Sequence, residues 1–288
     1  PADFLALIAV FAMSSMSILN RQGLRTGSPY VAAVVINLTV LIAYTGVCTS
    51  LGVRWTDLSQ KGVLWFLLGG ISSPALSMTM YYIALSRLGV GRAAPIGMGS
   101  NPLFSVLLSV LLLGERPHWS LYVGTFLIVG GILVIMHSKR ETSLKFREAI
   151  LPLAAGFFWG LAAVIRKAGL SVIPLPHVAI LISTFSALIV LALTYKMFPK
   201  NMRLVCSIRA LKFFLLAGIT LAVTLFFLFS AISLGEVSRV MAILGATPLL
   251  SISMAALFLR DLENITRRTY AGTASIVLGI ILIMLLRS

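Results

Sequence analysis

Residues 84–135 read ALSRLGVGRAAPIGMGSNPLFSVLLSVLLLGERPHWSLYVGTFLIVGGILVI, and this stretch decides the architecture. It holds two uncharged runs, Ala93 to Gly114 and the opening of Trp119 to His137, separated only by ERPH. A helix needs about 20 residues to cross a hydrocarbon layer roughly 30 Å thick, with every backbone polar group bonded within the segment. Both runs have that length. Neither carries the polar stripe of a soluble amphipathic helix, and a turn this short makes the two helices antiparallel neighbours.

The same pattern extends in both directions. Charge-free stretches run from Phe4 to Leu19, Pro29 to Leu51, Gly62 to Ser86, Ala93 to Gly114, Trp119 to His137, Ala149 to Ile165, His177 to Tyr195, Phe213 to Gly235, Val240 to Leu259 and Thr269 to Leu286. They predict ten transmembrane helices. The composition agrees: 59% of residues are hydrophobic and 11% charged, where a soluble domain has about half and about a quarter. The formal charge of +15 lies almost wholly in the separators. It is therefore a topology signal and not the basic patch of a nucleic-acid binder, so no nucleic-acid partner is expected. Cys48 and Cys206 lie far apart and form neither a metal-ligand nor a redox spacing; no metal and no cofactor are expected. The sequence opens on Pro1 and an apolar run rather than a basic Met-led segment, so an initiator methionine and a short leader are expected to precede it; no A-x-A-like cleavage site follows the first apolar run, which is read as a true first helix.

Displacing the chain by 146 positions places Leu5 on Leu151, Phe11 on Phe157, Gly23 on Gly169, Gly89 on Gly235, Pro102 on Pro248 and Ser105 on Ser251. Two further positions of offset place Glu115, Tyr122, Gly124, Gly131 and Met136 on Glu263, Tyr270, Gly272, Gly279 and Met284. Apolar sequence matches itself easily in Leu and Ala, but not in Gly, Pro, Tyr and Glu. The expected organisation is thus a first repeat over residues 1–138, a basic connecting loop over 139–148 and a second repeat over 149–288. Five helices per repeat is an odd number, so the second copy enters from the opposite face. The fold class expected is an all-α integral membrane protein of two inverted five-helix repeats, an organisation typical of secondary transporters.

With the run of residues 84–135 in view, its looser echo over 231–284, and FFWGLAAVIRKAGL at 157–170, the chain resembles the EamA domain of the drug/metabolite transporter superfamily. In that domain a small-residue helix with a central proline leads into an LGE turn and a glycine-rich helix. The partner of FFWGLAAVIRKAGL in the first half, FAMSSMSILNRQGL, lacks the tryptophan. The resemblance covers nearly the whole chain and implies ten helices, alternating access and a central cavity lined by helices 1, 3, 4, 6, 8 and 9. It does not specify a substrate.

Candidate site residues follow from polar, aromatic and helix-breaking groups inside the spans. An uncompensated polar group in hydrocarbon is costly, so intramembrane Asn and Thr are expected to face protein or a cavity. Asn101 precedes the proline of the fourth helix, Thr247 holds the same place in the ninth, and Asn37 lies midway along the second. Tyr81, Tyr82 and Trp159 fall on helices that line the family's cavity, and Phe227 is the repeat partner of Tyr81. Pro102 and Pro248 are expected to kink their helices at the midplane, with Pro95 as a second break in the fourth. Glu115 and Glu263 read as structural groups of the LGE turn, and Arg87, Arg92 and Arg239 as residues near the cavity mouths. Trp55, Trp65, Trp119 and Tyr195 read as interface residues.

The function expected is secondary transport of a small organic metabolite, an amino acid or related amphipathic solute, with export as one direction. The alternatives are a lipid-carrier flippase or flippase subunit and, remotely, a polytopic membrane enzyme. An enzyme would need convergent catalytic groups inside the bilayer, whereas His118, His137 and His177 are scattered at helix ends. No enzymatic activity is expected. The partners expected are a small-molecule substrate and the lipid bilayer, with the chain a monomer or homodimer in a bacterial inner membrane. Loops after the odd-numbered helices carry 16 of the 23 Lys and Arg residues. The positive-inside rule then puts those loops in the cytoplasm and both termini outside it.

Overall fold

The computed structural model describes residues 2–113, 119–136, 146–197, 205–234, 243–259, 261–262 and 265–285. Glu115, Glu263, Arg239, His118 and His137 lie outside the described residues, as does the side chain of Pro102. The described chain is helical apart from loops and one isolated antiparallel bridge, Gly27 to Cys206. The helices are α1 (Ala2–Gly23), α2 (Pro29–Ser50), α3 (Gln60–Gly70), α4 (Ser77–Leu88), α5 (Val90–Leu113), α6 (Trp119–Met136), α7 (Phe146–Val172), α8 (Pro176–Thr194), α9 (Ile208–Leu234), α10 (Thr247–Phe258) and α11 (Arg267–Leu285). A wide π-helical turn, Ile71–Leu76, joins α3 to α4 in one span.

Six spans among the described residues are long and apolar enough to cross a membrane: Asp3–Gly23, Pro29–Ser50, Gln60–Leu88, Phe146–Val172, Pro176–Thr194 and Ile208–Leu228. Outward side chains on these spans and on α5 and α6 suit lipid. Leu111, Phe126 and Leu193 are each more than three-quarters exposed, which would be costly in water and is favourable in hydrocarbon. Inside, small residues such as Ala9, Ala32, Ala33, Ala93 and Ala94 are fully buried and bring the helices close. The protein is a multi-pass membrane protein.

Local chemistry explains the helix ends. The Ser28 hydroxyl accepts the Val31 N–H at 3.3 Å, and Pro29 follows where a missing N–H costs nothing, so α2 starts there. Gly89 alone separates α4 from α5. Its φ of +76° turns the chain at once, which a side chain would resist. Arg21 of α1 donates to the Ser86 carbonyl at 3.1 Å, satisfying a group at the end of α4.

Two contacts fix relative directions. The loops after α1 and before α9 pair through Ser28 N–H to Val205 O at 2.7 Å and Ser207 N–H to Thr26 O at 3.2 Å. Where α6 crosses α11, a β-carbon placed on Gly272 would stand 2.6 Å from the Gly131 carbonyl, and one on Gly279 would stand 2.6 Å from that of Gly124. Higher numbers on α6 meet lower numbers on α11, so the two helices run antiparallel.

Four expectations about element bounds change. The third span is broken in its middle, at Ser73–Pro74, a position given no weight in the sequence; Ser73 is extended (φ −151°, ψ 122°) and its peptide bond to Pro74 is cis. The fourth span begins at Val90, so Arg92 is helical and half-buried rather than in a loop. The sixth does not stop at Ile165 but continues to Val172, ending only before Pro174 and Pro176. Pro248 does not kink a helix from within: it stands in the first turn of α10, where proline is favoured.

Candidate functional site

The break in the third span is held open by a set of hydroxyls. A π turn and an extended residue interrupt the regular helix here, and hydroxyls of the neighbouring helices add bonds to the backbone beside it although Leu67 O also keeps the Ile71 N–H. Ser183 of α8 donates to Phe66 O at 3.0 Å and Ser186 to Leu67 O at 2.8 Å. From the broken segment itself, Ser72 donates to Phe158 O of α7 at 2.8 Å. The break therefore docks on both α7 and α8, and it borders a cavity.

That cavity has a volume of about 200 Å³ and is walled by both halves of the chain. Met13, Asn37, Val40, Ser73, Pro74, Met78 and Asn101 come from the first half, and Trp159, Arg166, Ser183, Thr184, Leu221, Thr224 and Leu228 are among those from the second. A second chamber of about 140 Å³ adjoins it, sharing Met13, Asn101, Trp159 and Leu228 and adding Met98, Thr247, Pro248 and Ile280. Asn101 and Trp159 thus stand where the two chambers meet. The larger chamber reaches from mid-span residues towards the end of the bundle where α7 and α9 finish.

Of the residues singled out in the sequence, Asn37, Asn101, Trp159, Thr247 and Pro248 border these chambers. Asn37 is buried and donates to the Ala33 carbonyl at 2.7 Å, which leaves its own carbonyl oxygen for the cavity. Thr247 donates to Leu244 O at 2.6 Å and accepts at its backbone carbonyl from Ser14 at 3.4 Å. Tyr81 and Tyr82 are fully buried and border neither chamber. Tyr81 stands behind Trp159, with ring centroids 5.1 Å apart, and its hydroxyl is 3.4 Å from that of Ser17. Tyr82 donates to the Met78 sulfur at 3.1 Å. Phe227 packs on Phe226 and borders neither chamber; its neighbour Leu228 does. Pro95 is buried within α5 and is likewise absent from both walls.

Two features of the site were missed in the sequence. One is the Ser73–Pro74 break, whose signal was a proline beside paired serines deep inside an apolar span. The other is Arg166, assigned to a loop because the charge-free run ends one residue before it; it stands on α7 and lines the larger chamber, its Nη2 donating to Ser73 O at 3.4 Å.

The profile of the EamA-like transporter family matches residues 1–137 and again 147–285. The chain belongs to the EamA-like transporter family. It is 28% identical over 228 residues to an uncharacterized transporter of Archaeoglobus fulgidus, covering 78% of this chain and 74% of that one. It is 26% identical over 161 residues to the pseudopaline exporter CntI of Pseudomonas aeruginosa, covering 56% of each. A crystal structure 15% identical in sequence superposes with a TM-score of 0.67 over 99% of this chain and 98% of that one, a likeness of fold. These family relationships are with transporters, and the EamA resemblance drawn from residues 84–135 is shown by them.

Proposed function

We propose that this EamA-family protein is a secondary transporter that moves a small, partly apolar organic metabolite across a bacterial inner membrane by alternating access, its two five-helix halves inverted about an axis in the membrane plane. The observation that carries the reading is the composition of the larger chamber. Three pairs of its lining residues are repeat partners at the offset of 146: Met13 with Trp159, Asn37 with Ser183, and Met78 with Thr224. A cavity walled by equivalent positions of both halves lies across the relation between them, which is where such folds hold their solute.

Further contacts support the inversion. The helices α6 and α11 are repeat partners by the glycine register and cross antiparallel. α1 packs on α9 as α7 packs on the third span, and exchanging the halves turns each of these contacts into the other. Two packings of similar energy are the physical basis of an inward-facing and an outward-facing state. Export as the direction is favoured by the relative named as an exporter.

The test is uptake into proteoliposomes of radiolabelled amino acids, nucleosides and amines, followed by Asn101→Ala and Trp159→Ala on whichever solute is carried. Loss of flux in both variants, with unchanged insertion, is expected. Full flux in both would remove the two chambers from the path.

A further inference from the structure

We infer that the solute carries one carboxylate, and that Arg166 is the group that binds it at the end of the larger chamber; the inference rests on the transporter reading above and names the class of solute. Three observations lead to it. First, among the described residues lining either chamber, Arg166 is the one cation and none is Asp or Glu. Its described hydrogen bond is a long one, 3.4 Å to the Ser73 carbonyl, so one of five N–H donors is engaged there. A guanidinium in a membrane-embedded cavity carries a desolvation cost that a neutral carbonyl offsets only in part.

Second, this arginine is not drawn out to the lipid headgroups. A side chain near a helix end ordinarily snorkels towards water, but the Arg166 guanidinium reaches back to the break at Ser73, in the middle of the third span. Third, the fold does not demand charge at this position. At the repeat offset, Arg166 corresponds to Asn20, which is fully buried, with both polar atoms of its side chain lacking a hydrogen-bond partner among the described residues. A cation present in one half and absent from its counterpart answers to something other than the common architecture.

The rest of the wall specifies the solute further. A planar guanidinium fork fits carboxylate and phosphate alike. However, a phosphate monoester carries about 1.5 to 2 negative charges near neutral pH, and one cation would leave part of that unbalanced among Met13, Trp159, Ile180 and Leu221. A carboxylate is balanced by one arginine. Asn37, Ser183 and Thr224 offer neutral hydrogen-bonding groups for a polar substituent, and Trp159 with Met13 offers an apolar face for the body.

The purified full chain is titrated, by thermal-shift measurement in detergent, with a panel of aliphatic and aromatic monocarboxylates, their α-amino counterparts and the matched neutral amides and amines. At least one carboxylate is expected to stabilise the protein while its amide does not. Arg166→Gln is expected to weaken that carboxylate by about 10- to 100-fold, with Arg166→Lys in between. Comparing acid with amide on the unaltered protein keeps the test valid if a variant fails to fold. Amides or amines binding as tightly as their acids, full affinity in Arg166→Gln, or no acid binding at all would overturn the inference. Proteoliposome flux separates the two readings: acid-selective binding without flux would sink the transporter reading alone, and flux of amines or amides without acids would sink the carboxylate reading alone.

Discussion

Alanine at Gly131 should loosen the crossing of α6 and α11, whereas alanine at the adjacent Gly130 should not. A β-carbon on Gly130 meets nothing within 4 Å. Placed on Gly131, it collides with the Gly272 carbonyl and stands 2.7 Å from Ile276 Cγ1; placed on Gly272, it stands 2.6 Å from both the Gly131 carbonyl and Ile135 Cγ1. Ordinary contact begins at 3.4 Å, so the Gly272 β-carbon would require the helices to part by about 0.8 Å. A carbonyl cannot rotate away as a side-chain tip can. Parting by about 0.5–1 Å forfeits roughly a quarter to a half of each dispersion contact along the seam, and overpacking of this kind costs about 1–3 kcal/mol. Gly130→Ala instead gains up to about 1 kcal/mol of helix propensity. Since both glycines are interior to α6 and share that propensity gain, unfolding of the two variants in mixed micelles, followed by circular dichroism against denaturing detergent, should separate them by the overpacking cost, about 1–3 kcal/mol. Equal stabilities within about 0.5 kcal/mol would refute the close crossing on which the inverted arrangement of the halves leans.

Other outcomes are equally definite. Ser183→Ala with Ser186→Ala removes the two hydroxyl bonds by which α8 holds the Phe66 and Leu67 carbonyls; Leu67 O keeps the Ile71 N–H, so the loss should be that of an ordinary hydrogen bond, about 0.5–1.5 kcal/mol for each, read in the same unfolding titration, and an unchanged midpoint would mean that these bonds do not hold the span to α8. Of the two cysteines, Cys206 is exposed in the loop before α9 and Cys48 is buried, so a membrane-impermeant maleimide should label Cys206 only after permeabilisation if the loops after odd-numbered spans are cytoplasmic; labelling of intact cells would reverse the orientation. Partial desolvation in the loop pushes the Cys206 thiol above its ordinary range, so little thiolate is present at neutral pH and the labelling rate should rise with pH and still be rising where an ordinary thiol levels off. A rate already at its plateau at pH 7 would contradict this.

Much of the architecture was legible because lipid imposes a simple rule, that a span must be long and free of charge. α2 and α8 follow their charge-free runs closely for that reason. The same rule misled at Arg166, because a charge was taken to end the span although the helix continues past it into a protein-lined cavity. It was also blind to Ser73–Pro74, where the break is made by backbone geometry and the turn before it is tied down by hydroxyls on a helix more than a hundred residues away. Asn37, Asn101, Trp159 and Thr247 could be singled out as polar or aromatic groups inside apolar helices. That Tyr81 backs the wall while Trp159 forms it depends on the rotation of α4 against α7, which alternation of residue types in apolar helices does not encode.

The short ladder between residues 26–28 and 205–207 joins the two halves like a stitch at one rim of the bundle. Any rearrangement that spreads this rim must first undo Ser28 from Val205 and Ser207 from Thr26, at about 0.5–1.5 kcal/mol a rung. The rungs are made by backbone, so side-chain changes can weight the balance between conformers around them without removing the clasp itself.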